Sequence, residues 1–182
     1  MIILGRQGSG KGTQALRIAE TYGVVHVSTG DMLRAAVAEE TELGREAKGI
    51  MDAGGLVPDE VMNGIVDDRL RKDDIVAGGF LLDGFPRTPG QADALVSFVG
   101  DQLRLAINLD VAVEVVTQRM VARGRDDDTP ESIARRLELY EAQTAPLLAW
   151  SEARGILAVV DGLGTEEEVF ARIQRVVDPV AR

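Results

Sequence analysis

Cysteine is absent from the 182-residue chain, and histidine occurs once, at His26. Without cysteine there is no disulfide, no thiol nucleophile and no thiolate zinc site, and one histidine excludes a histidine-rich metal centre. Lysine is scarce, with only Lys11, Lys48 and Lys72 against 17 arginines. There is no basic tract, and 20 Lys and Arg against 30 Asp and Glu leave a formal net charge of −10. Such a surface repels a polynucleotide backbone, so DNA or RNA partners are not expected. No apolar run reaches the roughly 18 residues of a membrane span. The opening Met1–Gly5 lacks the basic region and cleavage site of a signal peptide. What is present is globular in proportion, 45% hydrophobic and 27% charged, over a length that suits one compact domain. The expectation is a soluble, cytoplasmic, single-domain protein.

Short apolar runs alternate with helical patterns. Met1–Leu4, Val24–Val27, Phe80–Leu82, Leu105–Leu109 and Ile156–Val160 read as buried strands, five in all. Stripes at helical spacing lie between them: Ala15, Ile18, Ala19 and Tyr22, then Ala92, Leu95, Val96 and Val99, and finally Val169, Ile173, Val176 and Val177. This alternation predicts an α/β fold with a five-stranded parallel sheet covered on both faces. Residues 28–74 break it. Helical patterns around Met32–Glu40, Leu43–Met51 and Val61–Leu70 contain no strand, which makes this a helical insertion between the second and third strands. Residues 124–130 form a second, short polar interruption, after which Asp128 or Thr129 caps a helix with Pro130 in its first turn.

The strongest chemical signal is Gly5-Arg6-Gln7-Gly8-Ser9-Gly10-Lys11-Gly12-Thr13, placed after a strand and before a helix. Successive N–H groups there can wrap a phosphate, with Lys11 reaching the β/γ-phosphates and the Thr13 hydroxyl joining the phosphate–magnesium shell. The strict pattern has Ser or Thr directly after the lysine, and here Gly12 intervenes. A glycine-rich turn with a surface lysine is the plainer alternative. Asp83 ends an apolar strand, where a carboxylate following a P-loop holds Mg²⁺ through water, although an Asp there also forms turns. Arg119 and Arg123 share a helical face, and Arg125 lies in the polar loop. Arg136 comes eleven residues after Arg125, about three turns, and can face back toward it. Each arginine alone reads as a solvated side chain; together with Arg34 and Arg87 they suit a grip on transferring phosphates. His26 reads as structural.

Gly8-Ser9-Gly10-Lys11-Gly12-Thr13-Gln14, Ser28-Thr29-Gly30-Asp31, Asp83-Gly84-Phe85-Pro86-Arg87 and the Arg119–Arg125 segment together resemble the nucleoside monophosphate kinase family, and within it the adenylate kinases. The resemblance runs almost end to end, and Asp-Gly-Phe-Pro-Arg is its most specific part. It implies a P-loop kinase core, with residues 28–57 as a mobile AMP-binding insertion and 124–130 as a short lid in place of the long, often zinc-bearing one. By the same resemblance Gly8, Ser9, Gly10, Lys11, Gly12 and Thr13 would bind ATP phosphates. Arg119 and Arg123 would face ATP, and Gly164 would offer backbone beside the adenine. Thr29, Arg34, the Gly55-Leu56-Val57 backbone, Gly84, Phe85, Pro86, Arg87 and Gln91 would bind AMP. Arg125 and Arg136 would meet AMP and the phosphoryl groups, and Asp83 would order hydrated Mg²⁺. Thr29 bears on specificity, since pyrimidine-specific relatives typically carry alanine there. The chain departs from the family near Arg6 and Gln7, where proline is usual.

The implied reaction is MgATP + AMP ⇌ 2 ADP, in a monomer that uses Mg²⁺ and no zinc. The attacking phosphate is already anionic, so no catalytic base is required. Alignment and cations carry the catalysis, with Lys11, Arg87, Arg123, Arg125 and Arg136 as candidates. Insertion and lid would close before transfer and exclude water, a gating for which adenylate kinases are a standard example. Two rival readings stand beside it. One is a kinase for UMP, CMP or shikimate, against which the Thr29 and Arg34 pattern argues. The other is a non-catalytic nucleotide sensor. The Asn-Lys-x-Asp string of guanine-binding switches is absent, and every expected arginine position is filled.

Overall fold

The computed structural model of the chain describes residues 1–125 and 128–181. Its strands fall where the apolar runs lie: β1 (Ile2–Leu4), β2 (Val25–Ser28), β3 (Phe80–Asp83), β4 (Ala106–Asp110) and β5 (Leu157–Asp161). All pair in parallel, in the order β2-β3-β1-β4-β5. Successive side chains point to opposite faces. Ile2, Leu4, Phe80 and Leu82 therefore enter one apolar cluster, while Ile3, Leu81 and Ile107 enter another. Helices α1 (Lys11–Tyr22) and α10 (Glu166–Val177) cover the second cluster with Ala15, Ile18, Val169 and Ile173. Helices α6 (Pro89–Val99) and α9 (Pro146–Ala153) cover the first with Ala92, Leu95 and Leu147. On that side Trp150 of α9 donates from Nε1 to Asp93 Oδ1 of α6 at 2.9 Å, and the Arg154 guanidinium lies 3.8 Å over its ring.

Strand order decides where the site is. β1 lies between β3 and β4, and Ile3 stands across from Asp83. The segments that leave the carboxyl ends of β1 and β3 therefore meet, at the kind of edge where open α/β sheets bind ligands.

The insertion between β2 and β3 is helical throughout: α2 (Thr29–Ala38), α3 (Glu42–Asp52), α4 (Asp59–Leu70) and α5 (Asp73–Gly78). Ser28 and Thr41 cap α2 and α3, their hydroxyls accepting from Asp31 N and Gly44 N. α5 escapes the sequence pattern because six residues are too few to display a period. Further on, α7 (Val113–Arg123) and α8 (Pro130–Leu139) pack through Val116, Met120 and Ile133. Of the two candidate caps of α8, Thr129 is the one used, with Oγ1 accepting from Ser132 N at 3.2 Å. α8 runs directly into a π turn, Tyr140–Thr144, closed by a 2.7 Å bond from Ala145 N–H to Tyr140 O.

The tightest backbone approach in the insertion is at Gly44, where a Cβ would stand 2.0 Å from Ala36 O and 2.6 Å from Val37 N. Helix propensity favours alanine over glycine by about 1 kcal/mol, but these backbone atoms cannot swing aside. Gly44→Ala is expected to lower stability in urea by about 1–3 kcal/mol net, the usual range for overpacking. An increase would show that α2 and α3 part freely.

Candidate active site

The phosphate loop begins where β1 ends. Gly8, with φ +83°, holds a conformation that favours glycine, and a Cβ there would lie 2.6 Å from Val116 O, so the loop can pass α7 only without a side chain. The first turn of α1 has no side-chain cap, since Gly10 occupies the cap position. Its leading N–H groups are thereby left to a ligand. Lys11 Nζ donates to Gly5 O at 2.7 Å and Arg6 O at 2.9 Å, folding the ammonium over its own loop. Burial, with the charges of Arg87 and Arg123, pulls its pKa down to about 8 in spite of Asp83.

The loop after β3 faces it. Asp83 sits with Oδ2 3.7 Å from His26 Nε2, within ion-pair range but too long for a hydrogen bond. Burial pushes the Asp83 carboxyl up, but His26, Lys11 and Arg87 outweigh it and hold the group below its ordinary value, hence anionic. The Phe85–Pro86 peptide is cis, and Phe85 is buried. Arg87 follows, with Nε donating to Gly84 O at 2.8 Å. Among the described residues neither Nη atom of Arg87 has a hydrogen-bond partner. Thr29, also buried, donates from its hydroxyl to Asp83 O at 3.3 Å.

Gln91 is held from both sides. Its Oε1 accepts from Arg87 N at 2.7 Å, and its Nε2 donates to Asp59 Oδ1 at 2.8 Å. Asp59 Oδ2 also accepts from the Thr88 hydroxyl at 2.7 Å, and that hydroxyl caps α6 by accepting from Gln91 N. Asp59 thus fixes the Arg87–Gln91 segment from α4. Nothing in the sequence separates it from an ordinary acid in a first helical turn.

Arg123 and Arg136 meet at one carboxylate. Arg123 Nε and Nη2 donate to Asp128 at 2.9 and 2.8 Å, and Arg136 Nη1 does so at 3.0 Å. The Asp128 side chain is fully buried beneath them, and the Arg123 contacts outweigh its burial to keep it ionised. Arg136 does face back to the loop, as its spacing predicts, and Nη2 reaches Met51 O of the insertion at 3.4 Å. The role of Asp128 is missed in the sequence, where it reads as a cap; its only signal is an acid flanked by arginines.

These segments enclose a cleft of about 450 Å³. Lys11, Arg34, Arg87, Arg123, Arg125 and Arg136 line it, against two carboxylates, Asp31 and Asp83. Gly8, Gly10, Gly12, Thr13, Thr29, Gly55, Leu56, Val57, Gly84, Pro86 and Gln91 line it too, and so does His26. Ser9, Phe85, Arg119 and Gly164 do not. Arg119 instead reaches the outside of the phosphate loop, 3.5 Å from Gly8 O and 3.4 Å from Ser9 O.

Comparison with known proteins gives the family of this arrangement. The adenylate kinase family profile matches residues 3–156. The chain belongs to the adenylate kinase family. It is 48% identical over 180 residues to the adenylate kinase of Stenotrophomonas maltophilia strain R551-3, covering 95% of this chain and 96% of that one. Adenylate kinase 1 of Synechocystis is 47% identical over 182 residues, covering 98% and 97%, and the adenylate kinase of Oenococcus oeni is 45% identical over 181, covering 97% and 96%. Family membership makes the chain a phosphotransferase with a P-loop core.

An adenylate kinase works with magnesium, and the oxygen donors here fit that ion. Asp83 is anionic and lines the same cleft as the Thr13 hydroxyl. Among the described residues there is no cluster of three or more His, Asp or Glu that would make a protein cage. One carboxylate, with the rest of the shell left to water and phosphate, is the set Mg²⁺ favours.

Two predictions follow from this geometry. ATP phosphates near Lys11 will raise its pKa again, so at pH 9 nucleotide binding should take up as much as about one proton. Calorimetry in buffers of different ionisation enthalpy reads that proton. Lys11→Arg, which stays charged throughout, should abolish it, and buffer-independent heats in the wild type would mean Lys11 is already protonated. In the free protein the sign is the reverse of a stabilising pair. Lys11 charges in the folded state only below about 8, so its contribution to stability rises from there to the unfolded pKa of about 10.4. The second concerns Asp59: replacing it by Ala should raise KM for the acceptor nucleotide about tenfold or more while leaving ATP affinity within twofold, because it orients only the Arg87–Gln91 segment.

Proposed function

We propose that the cleft transfers the γ-phosphoryl group of MgATP to the phosphate of AMP, reversibly, giving two ADP. The observation that carries this reading is the placing of Lys11 and Arg87 in one cleft beside Asp83, with both Nη atoms of Arg87 unpartnered among the described residues. Lys11 belongs to the donor side and Arg87 to the acceptor side, so a phosphoryl group moving between them stays in contact with positive charge.

The donor phosphates rest on the loop from Gly8 to Thr13, including Ser9, Gly10 and Gly12, with Arg119 and Arg123 at their flank and Gly164 beside the adenine. AMP lies against Thr29, Arg34, Gly55, Leu56, Val57, Gly84, Phe85, Pro86 and Gln91. Asp83 and Thr13 would hold Mg²⁺, which supplies neutralisation of β/γ charge when bound. Arg123, Arg125 and Arg136 join Lys11 and Arg87 in meeting charge as it spreads over the transferred group. The AMP phosphate is already a nucleophile, and accordingly no side chain in the cleft needs to act as base. Residues 28–57 form the acceptor insertion and 124–130 a short lid, of which 126 and 127 lie outside the described residues. Closure of the two over both nucleotides would keep water from the phosphoryl group. The enzyme works as a monomer in the cytoplasm, where its nucleotide substrates are held. Among the described residues no helix is long and apolar enough to cross a membrane.

A coupled assay of ADP formation from MgATP with AMP, UMP, CMP or GMP tests the reading. Fast turnover with AMP alone is the expected result; a pyrimidine acceptor would overturn the substrate, and binding of ATP without any transfer would leave a sensor. Arg87→Ala is expected to cut turnover at least about a hundredfold with the fold intact. Near-normal turnover of that variant would remove Arg87 from the transfer step.

A further inference from the structure

Arg6 stands where the nucleoside monophosphate kinase pattern usually has proline, and its side chain does not line the cleft. Its backbone carbonyl accepts from Lys11 Nζ at 2.9 Å and from Ser9 N at 3.2 Å, so its main chain is the floor of the phosphate loop. The guanidinium turns outward to the π turn. Nε and Nη2 donate to Glu141 Oε1 at 2.9 and 2.6 Å, and Nη1 donates to Val111 O at 3.3 Å. Its carbon lies 5.3 Å from the centroid of the Tyr140 ring, whose residue does line the cleft.

The other end of the same turn is tied to the acceptor side. Thr144 donates from its hydroxyl to Arg87 O at 2.8 Å. Helix α8, which carries Arg136, ends at Leu139 and passes without a break into Tyr140. One five-residue turn therefore touches the phosphate loop at its first two residues and Arg87 at its last, and continues the helix of Arg136. π turns of this kind interrupt helices most often at functional sites.

We propose that Arg6 is a positioning residue for phosphoryl transfer, clasping the phosphate loop to the π turn and so fixing Arg87 and Arg136 relative to Lys11. The proposal rests on the transfer reading given above. An exposed ion pair is by itself worth little, but Arg6 joins its ion pair to a backbone acceptor and a ring face, and its side chain is only 22% exposed. What the clasp provides is register. In-line transfer loses rate steeply when donor and acceptor groups are misplaced by a fraction of an ångström to an ångström.

Arg6→Met and Glu141→Gln, singly and combined, test this with steady-state kinetics and ATP titration calorimetry. Each single change is expected to lower kcat about tenfold with KM and Kd for ATP within twofold. The double variant should be no slower than the slower single, since both break one contact. Arg6→Lys, which keeps the charge toward Glu141, should restore part of the rate. An unchanged kcat, strictly additive losses, or a fall in ATP affinity that matches the fall in rate would each overturn the proposal. Amide exchange gives a readout independent of catalysis: the Ala145 N–H that closes the turn should exchange faster in Arg6→Met than in the wild type. Exchange at the wild-type rate would show that no clasp exists. Failure of the transfer reading would appear separately, as a wild-type protein that makes no ADP from ATP and AMP.

Discussion

Six cationic side chains converge on one cleft of a protein whose formal net charge is −10, and the repulsion among them is the constraint that the rest of the structure answers. Arg34 and Arg136 both work against the charge of Arg87, and Arg87 and Arg123 both work against that of Lys11. Such crowding is unfavourable in the free protein and becomes favourable when polyanions enter. The negative balance elsewhere gives no hint of this, because net charge sums over the surface while a ligand meets only the local field. Arginine suits the purpose better than lysine, since its planar fork holds its charge under burial and meets two phosphate oxygens at once. The single lysine of the cleft, Lys11, is the group whose protonation yields.

Carboxylates set outside the reacting centre keep this array in place. Asp128 receives Arg123 and Arg136 together, which puts two arginines from two helices at one point. Asp59 holds the segment that bears Arg87 without touching its guanidinium. Asp31 pairs with Arg34 one turn away on α2. Each acid serves by fixing a neighbour, and each leaves most of the arginine fork unused. An arrangement with fewer acids would let the arginines splay toward solvent; one with more would compete with phosphate for them.

Much of this was legible in the sequence, and the part that was not has a common cause. The five strands, the helical stretch between β2 and β3, and the phosphate loop all show in short-range patterns: apolar runs, glycine spacing, a lysine after the glycines. Strand order is different. Parallel neighbours such as Ile3 and Asp83 are eighty residues apart, and no local pattern records the pairing. Asp59 and Gln91 meet across 32 residues, and Arg6 and Glu141 across 135. Each of these acids looks in isolation like a solvated one. His26 shows the same limit, since its place beside Asp83 depends on β2 and β3 lying in register. The π turn is equally silent, because one extra residue in a helix changes the bonding without changing the composition.

The position of the one tryptophan has a practical consequence. Trp150 is bound to Asp93 and covered by Arg154, on the α6–α9 side of the sheet, and neither it nor those partners line the cleft. Its indole is a reporter of whether α6 and α9 remain packed together, and is remote from the phosphates. Intrinsic emission therefore follows the unfolding of this protein and stays largely silent as nucleotides come and go, so a fluorescent record of occupancy needs a label placed on the insertion or the lid.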